Sequence, residues 1–206
     1  MADVQTFSGT PANSVRIGDA SGTFYTAQQF VATASGTISS LQWFSRINDG
    51  SPTSGITVEV WSDNGSDSPG SLISGASENI AHASIVDGAN SWSTSEFTTV
   101  TFASPPSVTN ALKYWIVTRK QGSVDGTNYY NAWTTAPSSY ASGLLKQGTS
   151  APVWGSALNA DQALIITITT AAGPVNVKTI SGLAIASVKT IGGLAVASVK
   201  SVNGLT

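Results

Sequence analysis

Apolar and polar residues alternate in short runs between positions 28 and 170, and the runs are broken by clusters of Gly, Pro, Asn, Asp and Ser. The clearest run is Ile56-Thr57-Val58-Glu59-Val60-Trp61, which stops at Ser62-Asp63-Asn64-Gly65. A period of two sets Ile56, Val58 and Val60 toward a core and Thr57 and Glu59 away from it, and the Asp-Asn-Gly cluster marks a turn. The same reasoning predicts strands over 28–33, 36–47, 71–74, 78–86, 97–102, 112–119, 127–133 and 163–170. Helical periodicity is nearly absent. A single sheet of half-buried strands would leave one apolar face wet, so eight or nine of them imply two packed sheets. The expected fold is all-β: a jelly-roll-like antiparallel sandwich spanning residues 1–170.

The pattern changes at Ala171-Ala172-Gly173-Pro174, where Gly permits unusual dihedrals and Pro interrupts a strand ladder. Residues 171–176 are the expected hinge, and residues 177–206 form an arm built on an 11-residue repeat. Residues 177–187 read VKTISGLAIAS, 188–198 read VKTIGGLAVAS and 199–206 read VKSVNGLT. A period of 11 also suits a right-handed helical supercoil, at about 3.67 residues per turn. The residue types favour β-structure over that alternative. Each copy places Gly182, Gly193 or Gly204 at one fixed position among β-branched Val, Ile and Thr, the composition of strand, turn, strand.

An arm of this length cannot bury its own apolar positions, because repeat units need neighbours to complete a core. The positions that need cover are Val177, Ile180, Leu183 and Ile185, then Val188, Ile191, Leu194 and Val196, then Val199, Val202 and Leu205. They make up the expected assembly interface. The expected partners are identical arms, most simply in a homotrimer, or a groove on a larger assembly. Lys178, Lys189 and Lys200 then lie on the wet face or meet an acidic partner.

Charge sharpens the division. All 11 carboxylates lie at or before Asp161, whereas Lys178, Lys189 and Lys200 are the only charged side chains of the arm. Three lysines are too few to imply nucleic-acid binding. Charged residues are 10% of the chain, against roughly 25% in ordinary soluble domains, and Ser, Thr and Gly supply the polar surface. There is no cysteine, so neither disulfides nor thiolate metal sites contribute. The N-terminus lacks the basic start and apolar run of a secretory signal, and no apolar stretch is long enough to insert in a membrane as a helix. The expectation is a product made in the cytoplasm without a signal peptide.

Candidate chemistry is sparse. The single histidine, His82, has only Glu78 and Asp87 nearby in sequence and no nucleophile-elbow motif to serve, so a strand-surface role is expected rather than catalysis. One His and no Cys do not make a zinc site. Asp63 and Asp67 have a spacing suited to calcium, but the full 12-residue loop pattern is missing, and Asx turns explain the segment without an ion. Glu59 and Glu96 would make a hydrolytic pair only if the fold joined distant strands. No cofactor is expected and no catalytic residue is assigned. Tyr129, Tyr130, Trp133 and Tyr140 cluster in a polar stretch and are the candidate ligand-binding surface, for sugar stacking or protein contact. Alternation along a strand gives at least one of Tyr129 and Tyr130 to the core.

The run from Ile56 to Gly65, followed by Ser68-Pro69-Gly70-Ser71-Leu72 and by Lys113-Tyr114-Trp115-Ile116-Val117, resembles a jelly-roll module of bacterial surface proteins and phage virion proteins. The tandem VKTIxGLAxAS copies resemble C-terminal repeats of tailed-phage structural proteins. The resemblance implies a virion component: capsid decoration, head fibre or tail-associated protein. Its sandwich would be displayed while its arm attaches it to other virion proteins. It implies no catalytic residue. A carbohydrate-binding module or adhesin for cell-surface glycans is the alternative.

Overall fold

The computed structural model describes residues 2–7, 13–20, 24–47, 52–88, 96–150 and 153–170, with the pairs 179–180, 183–184, 190–191 and 194–195. The chain forms two compact units, Met1–Thr169 and Thr170–Thr206. The first holds β1 (Ala2–Gln5), β2 (Asn13–Ile17), β3 (Tyr25–Val31), β4 (Gly36–Ile47), β5 (Ile56–Asp63), β6 (Pro69–Ile80) and β7 (Phe97–Val100). It continues through β8 (Ser107–Val108), β9 (Lys113–Lys120), β10 (Tyr130–Thr135), β11 (Leu145–Ser150), β12 (Val153–Trp154), β13 (Asp161–Gln162) and β14 (Leu164–Thr169). The second holds β15 (Thr179–Ile180), β16 (Leu183–Ala184), β17 (Thr190–Ile191) and β18 (Leu194–Ala195).

The first unit is an all-β antiparallel sandwich. In one sheet β1 pairs β14, β14 pairs β4, and β4 pairs β7; in the other the order is β3-β9-β5-β6. First strand beside last, with the chain crossing between sheets at β3–β4, β4–β5, β6–β7 and β7–β9, is the jelly-roll pairing. An excursion between β9 and β14 adds further strands. Its β10 takes the C-terminal end of β4, with Ala132 opposite Ser45, while β14 takes the rest, from Leu164 opposite Trp43 to Thr169 opposite Thr37. Its β11 and β12 extend the other sheet beside β3.

The inner faces interdigitate Phe30, Trp43, Ile56, Val58, Val60, Ile116, Leu164 and Ile166, all fully buried. Burying one such side chain contributes about 1.5–3 kcal/mol, and this core is the main source of stability. A polar seam crosses it. Thr26 and Thr118 share a 2.5 Å hydroxyl contact, the Gln162 backbone N–H donates to Gln28 Oε1 at 2.7 Å, and Thr6 Oγ1 donates to the Gln162 carbonyl at 2.5 Å. Because Thr26 and Gln28 point inward, apolar alternation hides the start of β3, which begins at Tyr25 rather than at 28. The runs expected at 71–74 and 78–86 are instead one strand, β6, kinked at Gly75 with φ 75°, a conformation that suits glycine. That strand ends at Ile80, and His82–Ser84 form a single 3-10 turn, so His82 is not on a strand.

Candidate functional site

The outer face of the six-stranded sheet departs from the usual polar surface. Alternation sends Glu59, Trp61 and Asp63 of β5, Trp115, Val117 and Arg119 of β9, and Tyr25, Ala27 and Gln29 of β3 to the side opposite the core. Register aligns Trp61, Trp115 and Gln29 in one row across the strands, and Glu59, Val117 and Ala27 in the next. Ala27, Trp115 and Val117 are fully buried on this face under the half-buried Tyr25, Trp61, Leu144 and Trp154.

Polar groups hold these rings in place. The Trp61 indole N–H donates to Glu59 Oε2 at 2.9 Å, and the Trp115 indole N–H donates to Asp63 Oδ2 at 2.8 Å. Residues two apart on a strand share a face, so the first bond lays the Trp61 ring along its own strand. Arg119 donates to Glu59 at 3.4 Å, and Lys146 Nζ stands 5.9 Å from the Trp115 ring centroid while donating to Ser68 Oγ at 2.6 Å. Tyr25 and Trp154 meet edge to face, 6.1 Å apart at 77°. Beside this row lies a hollow of about 400 Å³ lined by Gln29, Asp67, Lys113, Gly143 and neighbours. The Lys113 ammonium, 2.5 Å from Asp67 Oδ1, holds the Asp67 carboxyl below the usual carboxylate range, and a hydrogen bond from Gln29 adds to the effect.

The aromatic cluster expected from sequence lies elsewhere and is interior. Tyr130 is 0% exposed, Tyr129 3% and Trp133 8%, so none of these rings offers a stacking face. Tyr130 points into the main core, whereas Trp133 joins Phe44 and Phe97 in a cluster on the outer side of the other sheet. Tyr140 packs against the core and accepts the Val31 N–H on its phenol oxygen at 3.1 Å. This placement corrects the expectation that the four residues form a binding surface.

Asp63 and Asp67 behave as turn residues. Asp63 Oδ1 accepts the Gly65 N–H at 2.7 Å, Asn64 Oδ1 accepts the Ser66 N–H at 2.8 Å, and Gln29 Nε2 donates to both carboxylates at 3.1 Å. Their lone pairs face N–H donors, and among the described residues no cluster of three or more His, Asp or Glu side chains forms. Glu59 lies on β5 of the six-stranded sheet, whereas Glu96 stands just before β7 of the other sheet. His82 Nδ1 lies 2.8 Å from the Tyr130 hydroxyl.

In the second unit, β15 pairs β16 with Ile180 opposite Leu183, and β17 pairs β18 with Ile191 opposite Leu194. Each of these pairs is antiparallel, and its two strands stand two positions apart in the sequence. This is the strand-turn-strand form, not the helix that an 11-residue period also permits. Val177, Ile185, Val188, Val196, Val199, Val202 and Leu205 lie outside the described residues.

The signal for the outer face was present in the sequence. Trp61 shares its parity with Thr57 and Glu59, not with Val58 and Val60, so alternation alone sends it outward. No helix among the described residues is long and apolar enough to cross a membrane. Comparison with protein-family models finds none that matches the chain, and comparison with curated proteins finds no relative.

Proposed function

We propose that the chain is a non-enzymatic structural protein of a tailed-phage virion, with the sandwich displayed on the particle and the repeat arm anchoring or oligomerising it. The supporting observation is that both described repeats form the same hairpin in the same register. A two-stranded hairpin is marginal in water and buries little of its own apolar surface. Several hairpins in tandem therefore call for matching surfaces, from identical subunits in a homotrimer or from other virion proteins. A jelly roll followed by such an arm suits capsid decoration, a head fibre or a tail component.

The test is incorporation. Particles assembled with a chain lacking residues 174–206 are purified by density gradient and probed for the sandwich. The proposal expects the truncated protein to stay in the soluble fraction, correctly folded. Truncated protein in particles at the full-length level would sink it.

A further inference from the structure

We propose that the outer face of the six-stranded sheet binds a neutral oligosaccharide, with Trp61 and the Tyr25–Trp154 pair stacking on pyranose rings and Asp67 and Lys113 holding hydroxyls in the adjoining hollow. The site differs from the tyrosine cluster marked by the sequence and owes nothing to the arm.

The ligand class follows from the chemistry of the face. A sugar ring presents apolar C–H patches on its flat sides and hydroxyls at its rim, and aromatic rings interleaved with charged hydrogen-bonding groups complement both. Tyr25, Trp61 and Trp154 are each partly exposed. Their ring positions are set before any ligand arrives: Glu59 anchors the Trp61 indole at 2.9 Å, and Trp154 stands edge-on to Tyr25. Pre-set rings lose little freedom on binding, which favours affinity.

Charge on the face selects against polyanions and polycations. Arg119 and Lys113 are paired with Glu59 and Asp67, and the charge of Lys146, which lies by Ser68 and Trp115, is matched by that of Asp63, which accepts the Trp115 indole N–H. Positive and negative groups balance, leaving no net field to attract nucleic acid or an anionic lipid. Hydrogen-bonding capacity nevertheless remains at the hollow. The Lys113 side chain is 45% exposed and that of Asp67 49%, and an ammonium has three donors, of which Asp67 takes one.

Size agrees as well. The hollow of about 400 Å³ suits a ring-sized group rather than a flat protein surface.

The experiment is isothermal titration of the full chain with neutral hexasaccharides of glucose, mannose, galactose and N-acetylglucosamine, with a heparin hexasaccharide as the charged comparison. At least one neutral sugar should bind, with quenched tryptophan fluorescence and little dependence on salt. Trp61→Ala should weaken that binding about tenfold or more, the scale of losing one aromatic anchor. Lys113→Gln, at a side chain 45% exposed and outside the core, should weaken it several-fold and decides the matter if Trp61→Ala misfolds. The proposal is overturned if no neutral sugar binds, if only heparin binds and salt abolishes it, or if both variants bind as tightly as the parent.

Discussion

The buried carboxylate of Asp161 accepts the backbone N–H of Tyr140 at 2.6 Å, and the Tyr140 phenol oxygen in turn accepts the Val31 N–H of β3 at 3.1 Å. The same Asp161 oxygen accepts the Ser139 N–H at 2.6 Å and the Ser138 hydroxyl at 2.9 Å. One carboxylate thus folds the turn after β10 back onto β13, and Tyr140 carries the connection to the second sheet. Charge-assisted bonds of this kind are the strong ones.

Asp161→Asn keeps the shape of the side chain but replaces an acceptor-only group with one that is half donor. An amide oxygen in the place of Oδ2 still receives Ser138, Ser139 and Tyr140 but without the negative charge, and the amide N–H groups face the Gln28 Nε2 donor in the place of Oδ1, at a cost of about 1–3 kcal/mol. Urea unfolding followed by tryptophan fluorescence should show a lower midpoint with unchanged slope. An unchanged midpoint would remove Asp161 from the account of how the excursion is held.

A second prediction concerns alkaline pH. The Tyr130 hydroxyl donates to the Ser54 carbonyl at 2.6 Å, which spends its one proton, so at 2.8 Å His82 Nδ1 must be the donor in that pair. Burial pushes the Tyr130 hydroxyl up to about 12 from the ordinary 10.0. The unfolded chain therefore releases this proton first. Its contribution is intact below pH 10.0 and is lost as pH rises toward about 12. Tyr130→Phe should cost about 1–2 kcal/mol at neutral pH and flatten the decline above pH 10. Unfolding free energy measured at intervals from neutral to strongly alkaline pH checks both parts, and an equally steep decline in the variant would contradict the second.

Much of this fold is legible in the sequence, and the exceptions have physical causes. β4 matches its expected span of 36–47, and β5 begins at Ile56 as expected: Ile56, Val58 and Val60 alternate strictly on β5, while β4 is rich enough in buried apolar residues to be recognised despite a register shift that brings both Ile38 and Leu41 to the core. β1 and β2 bury only Val4, or Val15 and Ile17, too few positions to register as a period. β13 consists of Asp161 and Gln162, polar residues buried by hydrogen bonds rather than by hydrophobicity. The tyrosine cluster misled for another reason. Polar neighbours suggested a wet surface, yet Asn131 is 3% exposed and Thr134 1%, because both sides of β10 are covered. Trp61 and Trp115, by contrast, sit in the strongest strand runs, where a large aromatic is easily credited to the core although its parity sends it outward.

If the repeat arm is an association element and the sandwich is complete without it, removing the arm changes the mass of the particle in solution and not the fold. Multi-angle light scattering of the full chain and of residues 1–170 over a range of concentrations, with thermal melts of both, tests this most directly. The full chain should be an oligomer, most simply a trimer. The truncated chain should be a monomer that retains its β-sheet circular dichroism and a cooperative melt. Equal masses for the two chains, or a truncated chain that no longer folds, would contradict it.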